Sequence, residues 1–203
     1  MIMVHGILMT IGWGVFLQWG AFVARYARHR NPFWFYFHTT VQISGLCCSI
    51  AGFVFAVFSV QFDHFRFTHG ILGLIVMILG ILQPINAVLR PHKTVLLVDE
   101  SSARLIWRWI HHTNGRLALL LALVNITLGV FLAVANIVIW ALWITYLCLL
   151  FIIYFIVEIL KRHQDRQQAK ELFVKGNMDD LDQTRVGPSN YRVSPPMVEV
   201  SRL

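Results

Sequence analysis

The chain has 203 residues, 57% of them hydrophobic and 13% charged, with a formal net charge of +7 and a mean hydropathy of +0.64. That apolar share exceeds an ordinary soluble domain's and calls for a membrane as solvent. The basic excess does not point to nucleic acid, because Lys and Arg stand between long apolar runs instead of forming a stripe.

A bilayer core takes about 20 apolar residues as a helix. Five segments qualify: Ile2 to Ala24, Phe33 to Val60, Phe67 to Leu89, Ile106 to Ala133 and Ile137 to Leu160. The expected fold is all-α, a polytopic membrane helical bundle of five transmembrane helices over residues 1–163. No basic region precedes the first run and no small-residue cleavage site follows it, so the first helix is expected to stay in the product. Its His5 lies so near Met1 that a longer protein with a further N-terminal portion is an expectation. Cys47, Cys48 and Cys148 fall inside apolar runs without zinc-site or disulfide spacing and are expected as small buried hydrophobes. From Lys161 the chain turns polar, with Pro188, Pro195, Pro196 and the acidic cluster Asp179, Asp180 and Asp182. Residues 164–203 lack apolar periodicity and are expected to form a disordered tail.

Positive residues gather on the cytoplasmic side. The first loop carries Arg25, Arg28, His29 and Arg30, the second Asp63, His64 and Arg66, and the third region Arg90, Lys93, Arg104 and Arg108. The turn from Val134 to Asn136 is uncharged, and the last helix exits at Lys161 and Arg162. All five boundaries agree on an extracytoplasmic N-terminus and a cytoplasmic C-terminus.

Ionisable side chains at membrane depth are costly and mark function. Each of the first four helices carries a His near one end: His5, His38, His69, and His111 with its neighbour His112 as the alternate. Helices one and three run inward from the outer surface, so His5 and His69 share the outer level. Helices two and four run outward, so His38 and His111 share the inner level. Opposite helices of a four-helix bundle face each other across its core, and each pair is placed to ligate one haem iron. At 1.5 Å rise per residue, the roughly 13 residues between levels set the irons about 20 Å apart. Gly12 and Gly45 follow His5 and His38 by seven residues, while Gly73 and Gly115 follow His69 and His111 by four. Small residues on the ligand's face make room for a flat ring, and Gly115 selects His111 over His112. No CxxCH occurs, which excludes covalent haem attachment and leaves two imidazoles per iron. His29, His64, His92 and His163 fall in loops or the tail and are read as solvated.

The segments HGILMTIGW and ARYAR in helix one, FYFHTTVQ in helix two, THGILGLIVMILGILQPINAVLRPHK in helix three and IWRWIHHTNGR opening helix four resemble the cytochrome b561 superfamily, particularly its DOMON-linked, ferric-chelate-reductase-like subgroup. The resemblance covers residues 5 to about 130. It implies a four-helix core with two b-type haems per chain, ligated by His5 with His69 and His38 with His111. It also implies transmembrane electron transfer from cytosolic ascorbate to a ferric chelate or monodehydroascorbate outside, and a homodimer. Two features depart from the pattern: no DOMON domain is present, and no helix precedes the four-helix core as in the six-helix branch. A shortened product or a stand-alone membrane module is the expectation.

Ascorbate is a monoanion, so a donor site beside the inner haem calls for cations. Arg25, Arg28, Lys93 and Arg108 are the candidates. Arg116, five residues beyond His111, lies deeper, where a haem propionate or the polar cluster of Gln83, Asn86, Thr113 and Asn114 would partner it. Pro84 is placed to kink helix three there and free a carbonyl, and Gln42, four after His38, is a candidate hydrogen-bond support for that ligand. On the outer side Asp63, His64 and Arg66 are the residues placed to meet an acceptor. Phe33, Phe35, Phe37, Phe65 and Phe67 read as an interfacial aromatic belt. Two readings compete. A divalent-metal transporter would set its ligands around one midplane site, against two separated levels here. A non-redox membrane scaffold predicts a colourless protein.

Overall fold

The structure, a computed structural model, describes residues 1–30, 32–60, 66–91 and 101–185, the side chains of 60 and 179–185 excepted. All regular structure among them is helical: α1 (Ile2–Met9), a π-helical stretch (Thr10–Phe16), α2 (Leu17–Tyr26), α3 (Phe33–Val60), α4 (Thr68–Val88), α5 (Ser102–Leu132) and α6 (Ile137–Arg185). Together α1, the π stretch and α2 form one span, and among the described residues five helices are long and apolar enough to cross a membrane. Large apolar side chains stay exposed along them, including Phe58 at 74%, Phe155 at 68% and Ile139 at 48%. Lipid tails solvate such a surface, so burial is needed only where helices meet.

The described residues up to Tyr154 form one compact unit and those from Phe155 onward a second. In the first unit the first span packs on α3, and α4 packs on α5. The core mixes large and small side chains: Trp13, Leu17, Val76, Met77 and Ile126 interleave with Ala118 and Ala122. Gly12 and Gly45 have a local task. A Cβ at Gly12 would meet Ser49 Oγ and lie 2.7 Å from the Gly45 carbonyl, and one at Gly45 would lie 2.9 Å from Phe16 Cβ. These two glycines therefore bring the first span and α3 into backbone contact instead of bordering a ring-shaped space.

A π turn carries an extra residue and collects at functional sites. Here it holds Gly12, Trp13 and Gly14, all buried. Tyr146 of α6 donates its hydroxyl to the Gly14 carbonyl, Tyr154 donates to the Gln18 carbonyl at 3.0 Å, and Trp143 Nε1–H donates to Thr127 Oγ1 at 3.0 Å. The fifth helix is thus fastened to the first span and to α5 by polar bonds as well as by the buried Trp143 and Leu150.

The α5–α6 turn closes as a Schellman motif: Val134 N–H donates to the Phe131 carbonyl at 3.1 Å and Ala135 N–H to Val130 at 3.4 Å. Val134 takes φ of 46°, a conformation that position usually gives to glycine. Asn136 Oδ1 then accepts from Ile139 N–H at 3.0 Å and caps α6.

Two further expectations are corrected. The chain does not turn irregular at 164, because α6 runs on to Arg185. Its early part carries i,i+4 ion pairs, Arg162 with Glu158 at 3.0 Å and Lys161 with Asp165 at 3.2 Å. Such pairs and good helix formers sustain a polar helix without apolar periodicity. Pro188, Pro195 and Pro196 lie outside the described residues, as do the side chains of Asp179, Asp180 and Asp182. Cys47 and Cys148 are exposed, not buried, on the bundle's outer surface.

Candidate functional site

The first span contributes His5 and α4 contributes His69, and the fold brings these two rings together with centroids 6.1 Å apart and planes at 85°. A metal–imidazole bond is about 2 Å and the ring centre lies roughly 1 Å behind the nitrogen, so one metal between two imidazoles sets their centres about 6 Å apart. The His5–His69 spacing fits that arrangement. At the other end, His38 of α3 and His111 of α5 are electrostatic neighbours.

Three of the rings are held alike. His5 Nδ1 lies 2.9 Å from the Gly52 carbonyl, His38 Nδ1 2.9 Å from the Gly20 carbonyl, and His69 Nδ1 3.0 Å from the Asn125 carbonyl. A carbonyl oxygen only accepts, so Nδ1 carries the proton in each, and Nε2 is the ring nitrogen suited to ligate a metal. That bond also fixes ring orientation and strengthens the imidazole as a donor, as in known metal-bound histidines. Each acceptor comes from a helix other than the histidine's own, which makes the ring's aim a product of helix packing. Gly129 adds to this, since a Cβ there would lie 3.0 Å from Cε1 of His69.

Among the described residues no group of three or more His, Cys, Asp or Glu gathers. The histidines come in pairs, which suits a planar macrocycle that supplies the remaining ligands. Between the two pairs stands Trp13, 3% exposed, its ring against Gly80.

His111 and His112 are both half-buried and sit edge to face, 5.9 Å apart. His111 stacks on Trp107, with centroids 5.4 Å apart and planes at 11°, and lies beside Arg90 and His38. His112 lies within electrostatic reach of Arg28, Arg108 and Arg116. The fold therefore gathers three of the sequence-selected cations, Arg28, Arg108 and Arg116, around His112. Each of the three is exposed. Arg28 Nε–H also donates to the Ala24 carbonyl at 2.9 Å, and its guanidinium lies 5.7 Å from the Trp34 ring centre. Arg25 Nε–H donates to Tyr26 Oη at 3.2 Å. Lys93 lies outside the described residues, as do Asp63, His64, Phe65 and His92. His29 and His163 are exposed.

Of the polar cluster, Asn114 Nδ2 donates to the Leu79 carbonyl at 3.1 Å. Gln83 lies against Gly115. Gln42 donates to the Leu17 carbonyl at 3.0 Å, joining α3 to the first span rather than bonding His38. Sequence reasoning missed Arg90, Trp107, Gly129 and the carbonyls of Gly20, Gly52 and Asn125. Trp107 carried a signal, four residues before His111 on the same helical face. The carbonyls carried none.

Residues 4–136 match the family model described as eukaryotic cytochrome b561. A cytochrome b561 and DOMON domain-containing protein of Arabidopsis thaliana is 34% identical over 132 residues, covering 64% of this chain and 31% of its own length. A second of that description from the same plant is 33% identical over 136 residues, 65% of this chain and 35% of its own. A Xenopus laevis protein named "Putative ferric-chelate reductase 1" is 29% identical over 137 residues, 63% of this chain and 22% of its own. The chain spans about a third of the length of the Arabidopsis relatives. No solved structure matches it.

Proposed function

Because the chain belongs to the eukaryotic cytochrome b561 family, we propose that it is a membrane oxidoreductase that moves electrons across the bilayer through two b-type haems. The observation that carries this reading is the His5–His69 pair at 6.1 Å, with both Nδ1 atoms turned to carbonyls. His5 and His69 hold one haem, and His38 and His111 hold the other. A bound haem supplies a one-electron couple. The protein fixes three of the four imidazole planes through main-chain carbonyls and keeps apolar side chains such as Trp13 between the two levels.

The cationic group of Arg28, Arg108 and Arg116 beside His112 recommends the inner level as the place where an anionic reductant of the ascorbate kind delivers its electron. Arg25 and Lys93 serve the same face as orientation signals. With the N-terminus extracytoplasmic, the His5–His69 level faces the acceptor, a ferric chelate or monodehydroascorbate. The similarity to a protein named for ferric-chelate reduction favours the first.

The test is reconstitution of the full chain in liposomes loaded with ascorbate, with ferric chelate outside. The reading expects haem reduction and external iron(II), both abolished by His38→Ala. Iron reduction that persists in His38→Ala, or protein that ascorbate never reduces, would overturn it.

A further inference from the structure

We propose that Trp107 is the positioning residue of the fourth imidazole, doing for His111 by stacking what main-chain carbonyls do for the other three; this rests on the two-haem reading above. His5, His38 and His69 each donate Nδ1–H to a carbonyl. His111 breaks the pattern. Its Nδ1 is buried and, among the described residues, has no hydrogen-bond partner, so no such bond sets its orientation or tautomer. Its ring lies nearly parallel on Trp107 instead, 5.4 Å between centroids and 11° between planes.

Trp107 is itself fixed. Its Nε1–H donates to the Asn86 carbonyl at 2.6 Å. Asn86 lies in the last turn of α4, where helix carbonyls have no partner within the helix, so the bond satisfies an orphan acceptor and ties α5 to the end of α4. The Arg90 guanidinium, just beyond that end, stands 5.4 Å from the indole centre, close enough for cation–π attraction. Arg90, Trp107 and His111 thus form one connected group at the end of the α4–α5 seam.

The consequence is an asymmetry between the two sites. An acceptor on Nδ1 raises the basicity of a ligating imidazole and favours the oxidised metal. His5 and His69 both have one, whereas in the His38–His111 pair only His38 does, and a cation lies nearby. The iron served by His38 and His111 is therefore the more easily reduced of the two, and the plane of its His111 ligand follows the Trp107 indole.

The test compares haem-loaded, detergent-purified full-length wild type with Trp107→Leu, Trp107→Phe and Arg90→Gln. The readouts are electron paramagnetic resonance of the oxidised haems and potentiometric titration, with His38→Ala identifying the signal of the His5–His69 site. Trp107→Leu should move the signal and midpoint of the His38–His111 haem alone, and Trp107→Phe, which keeps a ring to stack, should restore most of the wild-type signal. Arg90→Gln, at an exposed position, should lower that same midpoint and leave the other in place. Wild-type signals and midpoints in Trp107→Leu, or Trp107→Phe displaced as far as Trp107→Leu, would overturn the proposal. Should Trp107→Leu fail to fold, an unmoved midpoint in Arg90→Gln would overturn it. A wild type that binds no haem would instead remove the two-haem reading on which the proposal stands.

Discussion

Replacing Gly12 by alanine tests the helix contact on which the His5 site rests. The added Cβ would lie 2.7 Å from the Gly45 carbonyl oxygen and 3.2 Å from Ser49 N, both main-chain atoms that no rotamer change can move. Ordinary contact needs about 3.5 Å, so the first span and α3 must part by nearly 1 Å. Overpacking of this kind costs about 1–3 kcal/mol. The same movement stretches the His5–Gly52 bond, now 2.9 Å, and a lost hydrogen bond adds about 1 kcal/mol. Alanine's better helix propensity returns about 1 kcal/mol. The net loss is about 2 kcal/mol, or roughly 4–8 °C in melting temperature for a chain of this size. Gly6→Ala is the matched control, since a Cβ there meets nothing within 4 Å, and it should melt at or slightly above wild type. Thermal unfolding in detergent, followed by circular dichroism, reads both. If Gly12→Ala melts with Gly6→Ala, the close contact between the first span and α3 is not real and the carbonyl support of His5 loses its basis.

Further outcomes follow from the same geometry. Val134→Gly relieves φ of 46° at the α5–α6 turn and should stabilise by about 1 kcal/mol, visible as a melting temperature roughly 2–4 °C higher. Tyr154→Phe removes the bond to the Gln18 carbonyl and should destabilise by about 1 kcal/mol, read in the same melt. Arg28→Gln takes one cation from the group beside His112; stopped-flow reduction by ascorbate at low salt should slow by about threefold, and the rate should depend less on ionic strength than in wild type.

The spans and the pairing of His5 with His69 were legible because both follow from one-dimensional patterns: apolar run length, charge asymmetry and the position of a His within its run. The aim of each ring was not. The Gly52 carbonyl is 47 residues from His5 and the Asn125 carbonyl 56 from His69, and a main-chain acceptor leaves no mark in residue identity. The glycines show the same limit. Gly12 and Gly45 share the ligands' helical face, yet their neighbours are another helix's main chain, and spacing alone cannot separate room for a ring from room for a helix. Arg90 reads from sequence as a topology signal, and only the approach of α5 to the end of α4 puts it over Trp107. The α6 extension left no apolar periodicity in the sequence, because its support lies in polar i,i+4 contacts such as Lys161 with Asp165.

The most direct measurement is the haem content per chain of the detergent-purified protein from haem-replete cells, with its absorbance spectrum before and after ascorbate. The account predicts close to two b-type haems per chain, both low-spin, one lost in His38→Ala and the other in His5→Ala. A colourless protein, or one whose haem content is unchanged in both variants, would contradict it.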